Sequence, residues 1–459
     1  MVEMGSSEAD KLVSAAKEYL WPAFGRDASF FGLPVSIVKS AAGRHIVDSF
    51  GNRLLETNSS GGAAPLGYNL PELMEAVSNQ MKNIINTTPS LFVPTEPLVW
   101  LAEKIAARSP GNMKYTIFCS NGTDANETAI KIARQYWKII GKGTKYKTVS
   151  RYPRGYHGMG LSTASASGHP FRRVPFEPLM GGFIHIHAPV CYRCPYDLSC
   201  PECGLRCAEE LRHVIEFEDA STVASFIGEQ TIGGGGNIPP PPGYMERIRE
   251  ICDEYEILLI ADEVITGFGK TGFWFECEKN GIVPDVVTMG KGISWGCGPL
   301  AGAHVKSEIA EAFTGANVFQ HGYTFGGMGY LAAAGLAGID YVEKHNLLAR
   351  AKEIGDKLAK ELGAIKDRSP VVGDVRVNGV LAAVELVKDK ATKEIFPDRT
   401  AVANLVNKVG RENGVLLACS PWYGDIIMLI IQLTMTDEEL GMVFDAIDKA
   451  VAAVAKQYL

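Results

Sequence analysis

An aspartate and a lysine each stand at the end of an apolar run. Leu258-Leu259-Ile260-Ala261 leads into Asp262-Glu263-Val264, a glycine-rich turn follows at 266–269, and residues 284–289 then lead into Gly290-Lys291-Gly292. The order is strand, carboxylate, loop, strand, lysine. In an open parallel sheet both side chains would stand at the carboxyl ends of adjacent strands, where such sheets bind ligands. A lysine amine there can form a Schiff base once it sheds its proton, which desolvation promotes. A carboxylate beside it can keep a pyridine nitrogen protonated and make the ring an electron sink. Pyridoxal 5'-phosphate (PLP) requires both groups.

Three further groups suit the same ligand. Ser120-Asn121-Gly122-Thr123-Asp124 lies between an apolar run and a helical one. Glycine admits an anion close to the backbone, Thr123 adds a hydroxyl, and a helix N-terminus offers free N–H groups. Ordinary capping by Ser, Asn or Thr accounts for the same residues. Tyr156-His157-Gly158 places an aromatic ring where it can stack on a flat heterocycle, and reads otherwise as a surface loop. His157 suits a base or a structural hydrogen-bonding role, and the structural role is expected. Residues 321–327 carry Thr324, whose hydroxyl can donate to a phosphate across a subunit boundary or simply belong to a glycine-rich turn.

These residues need a scaffold of alternating strands and helices. Residues 115–119, 223–228, 257–261, 286–289 and 300–305 read as strands. Residues 124–140 read as a helix with Ala129, Ile132, Ala133 and Tyr136 on its buried face. That alternation predicts an α/β fold with a mainly parallel sheet. Upstream, residues 9–21 predict a short helix stopped at Pro22, residues 35–57 small antiparallel strands, and Pro71 the start of a helix. Downstream, residues 330–345 predict a long helix and 374–386 a strand pair around Gly379. Thr436-Asp437-Glu438-Glu439 is a capping-box pattern opening a last helix, with Leu440, Val443, Phe444 and Ile447 as its stripe. A large central domain and a smaller one built from both chain ends are expected.

The chain has 459 residues, 46% hydrophobic and 21% charged, with net charge −7. That length suggests two or three structural units. The acidic balance and the lack of a basic run argue against nucleic acid. The polar N-terminus does not resemble a signal peptide, and no apolar run approaches the roughly 20 residues of a membrane span. A cytoplasmic enzyme away from membranes is expected. Five of the ten cysteines crowd into Cys191, Cys194, Cys200, Cys203 and Cys207. Zinc or an iron–sulfur cluster uses such thiols. The link between the two Cys-x2-Cys pairs is short for a zinc ribbon, so free or locally paired thiols without metal are expected.

The motifs SNGTDANE at 120–127, YHG at 156–158, DEVITGFGKTG at 262–272, GKG at 290–292 and YTFGG at 323–327 follow in that order. From about residue 35 to the end, the chain resembles the class III (omega) aminotransferases, PLP enzymes of fold type I. The resemblance implies a large PLP-binding domain over 66–330, with a mainly parallel seven-stranded sheet and a cysteine-rich insert at 188–207. It implies a smaller α+β domain from 1–65 and 331–459. Lys291 resembles the Schiff-base lysine and catalytic base, and Asp262 the partner of the pyridine nitrogen. Val264 resembles the residue packed on one ring face and Tyr156 the aromatic stacked on the other. Gly122 and Thr123 resemble the phosphate cradle, with His157 and Glu229 also beside the cofactor. Thr324 resembles a phosphate ligand that reaches a neighbouring subunit's cofactor, which implies a homodimer or tetramer. Amine and keto-acid substrates, pyruvate foremost, and ping-pong kinetics follow. A racemase, aminomutase or decarboxylase on the same scaffold is the alternative.

The departures from the family pattern cluster where substrate would sit. Residues 59–64 replace a stretch that often carries a pocket tryptophan. Residues 417–422 lack the carboxylate-binding arginine of many relatives, and Gln230 follows Glu229 where proline is usual. Ile265 stands where the acetylornithine and 4-aminobutyrate branches often have glutamine, which points to pyruvate-type omega-amine members. Carboxylate recognition must come from elsewhere in the chain.

Overall fold

A computed structural model describes residues 7–21, 37–87, 93–420 and 422–459. The expected helix stop at Pro22, the start of the strand reading at 35, and Pro421 within 417–422 lie outside the described residues. The largest sheet has seven strands: β1 (Met113–Cys119), β2 (Lys147–Tyr152), β3 (Phe183–His187), β4 (Val223–Glu229), β5 (Leu258–Asp262), β6 (Val286–Met289) and β7 (Ala301–Lys306). Their order is β1-β7-β6-β5-β4-β2-β3. From β3 to β6 the neighbours are parallel, while β7 runs antiparallel to both β6 and β1.

Every residue of β4, β5 and β6 is buried. Strands covered on both faces need continuous apolar runs rather than alternation, and the sequence supplies them. The helix Gly122–Ile139 packs on this sheet with Ala129, Ile132 and Ala133 buried and Tyr136 partly so. Its Trp137 indole N–H donates to the Ala224 carbonyl at 2.8 Å.

The chain divides into two compact units. Of the described residues, one holds those within Met1–Gly61, Pro65–Leu70 and Ile354–Leu459, and the other holds Gly62–Ala64 and those within Pro71–Glu353. The smaller unit carries two four-stranded sheets. The strand pair Val372–Asn378 and Leu381–Leu386 flanks Gly379, and the final helix Asp437–Tyr458 is opened by a capping box between Thr436 and Glu439. The units do not change over at 65/66 and 330/331. The helix Gly329–Lys344 belongs to the larger unit, where it packs against the helices Pro71–Asn83 and Glu96–Ala106. The second changeover falls at 353/354, inside the helix Leu347–Arg368. The helix runs unbroken through the change of unit, and Gly355 just beyond it does not interrupt the helical pattern. Among the described residues no helix is long and apolar enough to cross a membrane.

One packing contact ties this scaffold to the candidate lysine. A 3-10 turn, Lys291–Ser294, ends at Trp295, which is 1% exposed. The Trp295 indole N–H donates to the Gly335 carbonyl at 3.1 Å. A Cβ at Gly338 would fall 2.0 Å from the same ring. Gly338→Ala should therefore destabilise by about 1–3 kcal/mol through overpacking. Gly363 lies inside Leu347–Arg368 with no atom within 4 Å of an added Cβ. Gly363→Ala should stabilise by about 0.4–1 kcal/mol. Urea unfolding of both variants checks this, and equal midpoints would refute the indole contact.

Candidate active site

The site is built at the carboxyl ends of β4, β5 and β6. Register places Glu229 beside Asp262 and Asp262 beside Thr288. Asp262 is 3% exposed. A carboxylate this deep must be met by hydrogen-bond donors. Its Oδ2 accepts from Asn126 Nδ2 at 2.8 Å and lies 2.7 Å from His157 Nδ1, while Oδ1 accepts from the Val264 N–H at 3.1 Å. Asn126 is itself fully engaged. Its amide also donates to the His157 carbonyl at 2.8 Å, and its Oδ1 accepts from the Thr288 hydroxyl at 2.6 Å. His157 thus shares the Asp262 carboxylate with Asn126. Its own N–H donates to Ser167 Oγ at 2.9 Å, and its Nε2 is buried without a partner.

Lys291 follows Gly290 with a left-handed backbone, φ 43°. That conformation costs a residue with a Cβ about 1–2 kcal/mol. Burial pulls its ammonium below the ordinary lysine range and the Arg172 charge adds to this, while Glu229 and Asp262 oppose it. A second lysine lies close behind. Lys270 is fully buried and donates to the Gly267 carbonyl at 2.7 Å. Its Nζ is 2.8 Å from where a Cβ on Gly292 would sit. Burial lowers Lys270 to about 7, with Lys291 adding to the effect and Glu263 opposing it.

Asn121 caps the helix Gly122–Ile139, its side chain accepting from the Asp124 N–H at 3.0 Å. Capping and cradle therefore share this segment. A Cβ at Gly122 would lie 2.8 Å from Val264 Cγ1, and one at Gly290 3.4 Å from the same atom. Steric room for Val264 thus demands glycine at 122, independently of any anion. Beside the helix N-terminus, Gly158 has φ +136°, and a Cβ there would lie 2.6 Å from Thr123 Oγ1 and 2.8 Å from Thr163 Oγ1. Two hydroxyls and a helix N-terminus therefore lie close against Gly158, the kinds of group that bind an anion.

The Glu229 carboxylate spans two loops. It accepts from the Tyr156 N–H at 2.9 Å and the Gly233 N–H at 2.8 Å, and burial holds its pKa above the ordinary carboxylate range. Its visible work is to hold Tyr156 and the 230s loop. Ile265 packs on that loop, since a Cβ at Gly233 would fall 2.5 Å from its Cδ1. The Tyr156 ring has the Arg172 guanidinium carbon 3.8 Å from its centroid. Thr324 is exposed on a turn and shares none of the hydrogen bonds that join the other residues. The residues before it lie along the helix Gly122–Ile139, with His321 Nε2 2.8 Å from Thr128 Oγ1.

Four residues without an assigned role in the sequence belong to this cluster: Asn126, Thr288, Lys270 and Arg172. Thr288 carried a signal, being a hydroxyl inside an apolar run. Asn126 and Lys270 lie inside quoted motifs, and Arg172 carried no signal. The five clustered cysteines line one pocket and are unbridged. Among the described residues no group of three or more His, Cys, Asp or Glu is arranged to hold a metal ion.

Comparison with known proteins bears on this geometry. The family Aminotransferase class-III matches residues 32–451. A probable aminotransferase of Mycobacterium tuberculosis is 38% identical over 388 residues, 84% of this chain and 82% of that protein. The taurine–pyruvate aminotransferase of Bilophila wadsworthia is 33% identical over 458 residues, 98% of each chain. Among solved structures, a PLP-bound amine transaminase from an uncultivated Pseudomonas species has TM-score 0.89 and 31% identity, covering 95% of this chain and 98% of that one.

Asn126→Ala should lower the unfolding free energy of the cofactor-free protein by about 1–3 kcal/mol, because it strands the Thr288 hydroxyl and removes a donor from Asp262. Denaturant titration measures it. Lys270 predicts a pH effect. An unfolded lysine titrates near 10.4, so between pH about 7 and about 10 the unfolded chain binds more protons than the folded one. Stability should rise with pH across that window, by up to about 1.4 kcal/mol per pH unit. Lys270→Met should flatten the rise, and an unchanged slope would refute burial of the amine.

Proposed function

We propose, from the premise that this chain belongs to the class-III aminotransferase family, that Lys291 and Asp262 are the centre of its reaction. The chain is an aminotransferase that uses PLP and moves an amino group from an amine to a keto acid. One observation carries the assignment of roles: a buried carboxylate fixed by two side-chain donors ends β5, and a lysine whose ammonium burial disfavours follows the adjacent β6.

The residues fit the cofactor. Asp262 would hold the ring nitrogen, Lys291 the aldehyde carbon, and the Gly122–Thr123 amides with the Thr123 hydroxyl the phosphate. Val264 and Tyr156 would flank the ring. Bound PLP supplies an electron sink that acidifies the carbon bearing the substrate's amino group. Lys291 Nζ, once freed, takes the proton from that carbon as general base, and on the return half it delivers one to the keto-acid carbon as general acid. Asn126 and His157 are already oriented towards the Asp262 carboxylate, so no reorganisation is needed there in either half. Glu229 keeps Tyr156 in register through the backbone N–H.

The donor is a primary amine or an omega- or beta-amino acid. Pyruvate is the proposed acceptor, supported by the taurine–pyruvate relative. The racemase, aminomutase and decarboxylase alternatives are not favoured. A homodimer is the proposed working unit, supported by the exposed position of Thr324 on its turn. Lys291→Ala should keep PLP reversibly bound through the cradle while turnover falls by at least about 10²–10⁴-fold. Gel filtration with PLP, borohydride reduction and an alanine-formation assay together check it. Near-normal turnover in that variant would overturn the proposal.

A further inference from the structure

The loop after Asp262 and the turn that carries Lys291 follow adjacent strands, and Lys270 joins them. The loop is closed by the Gly267 N–H on the Glu263 carbonyl at 2.9 Å and the Phe268 N–H on the Trp274 carbonyl at 2.7 Å. The turn is closed by the Ile293 N–H on the Gly290 carbonyl at 3.1 Å. The Lys270 side chain is 0% exposed, and its amine donates to the Gly267 carbonyl at 2.7 Å. A Cβ on Gly292 would meet Lys270 Nζ at 2.8 Å and Phe268 Cβ at 3.1 Å. Lys145 is buried too, but its amine donates to the carbonyls of Ala220, Val223, Tyr255 and Glu256, which replace water around an ammonium. The surroundings of Lys270 are less welcoming to charge. Glu263, the buried carboxylate that favours a proton there, is taken up by the Thr266 hydroxyl and the Cys277 N–H. Lys291, on the neighbouring turn, repels it.

We propose that Lys270 is a positioning residue for the reaction: its amine, wedged between the Gly267 carbonyl and Gly292, braces the turn of the Schiff-base lysine and exchanges charge with that lysine. This inference rests on the aminotransfer reading. A proton on either amine disfavours a proton on the other, so the two titrate as a pair. While Lys291 is an ammonium, Lys270 is held neutral. Once Lys291 is bound to the cofactor it no longer carries that charge, and Lys270 can take up a proton. The new charge then disfavours a proton on the bound Lys291 nitrogen. Lys270 thereby works with Arg172 and against Glu229 and Asp262, the carboxylates that favour a proton on Lys291.

The test has two arms. In the first, PLP-loaded wild type is compared with Lys270→Met, Lys270→Gln and Lys270→Arg, and the pH midpoint of the visible band reads the bound Lys291 nitrogen without turnover. Two neutral variants guard against a packing defect in either. Both should raise the midpoint by about 1 pH unit, whereas Lys270→Arg, charged at every pH, should leave it at or below wild type. A residue that only fills space would move neutral and charged variants alike. The second arm uses cofactor-free protein and urea unfolding against pH. The part of the stability rise due to Lys270 is the difference made by adding Lys270→Met. In a Lys291→Met background that part should begin about 1 pH unit higher than in wild type, because the repelling ammonium is gone. Wild-type midpoints in both neutral variants would overturn the proposal, and so would an onset that ignores Lys291. If wild type with PLP develops no pH-dependent band, the aminotransfer reading fails instead, and the cofactor-free arm still decides Lys270.

Discussion

The site depends on one buried negative charge. Asp262 ends a strand that is covered on both faces, where an unpaired carboxylate would be strongly disfavoured. Its oxygens are met by groups from other parts of the chain: Asn126 from the first turns of a helix, His157 from a loop, and the Val264 N–H just after the strand. Two of these three groups are fixed by a further contact, Asn126 by Thr288 and the His157 backbone by Ser167. The helix, the loop and two strands are therefore brought into register by the need to satisfy one side chain. The lysine is placed by a different device, a left-handed residue between two glycines that the buried Trp295 closes off.

Much of the sheet was legible because its strands announce themselves as apolar runs. Fully buried parallel strands cannot alternate, so β4, β5 and β6 read as blocks, and their polar terminators marked the site directly. Asp262 and Lys291 stand out as candidates for that reason, whereas Gly122 follows β1 in its own motif and Val264 rests on the family resemblance alone. β2 and β3 were not assigned beforehand. β2 mixes lysine, arginine and serine with few apolar residues, and β3 is a five-residue Phe-Ile-His-Ile-His run with two histidines, so pairing partners rather than local pattern decide such strands.

What stayed hidden depends on long-range contact. Asn126 stands three and seven residues before Ala129 and Ala133, so helical spacing puts it on the buried face, where it is 1% exposed, but nothing local shows which carboxylate it meets. Arg172 is embedded among exposed apolar residues such as Phe171 and Val174, with nothing local to show that it turns towards Tyr156. Glu229 was recognised as close to the site, but sequence could not show that its oxygens are taken by two backbone N–H groups. The unit changeover at 353/354 was hidden for a related reason, since a helix that runs through it gives the same periodicity on either side.

Val264 meets two glycines at once, one opening a helix and one preceding the lysine. Positions 122 and 264 form a single steric unit drawn from two separated stretches of chain, bordered by Gly290. A methyl added at 122 is tolerable only where 264 has already shrunk, and a larger group at 264 has nowhere to go while β1 and β6 keep their spacing. Lineages of this fold should consequently change positions 122 and 264 together or leave both alone, while 290 only borders them at ordinary contact distance.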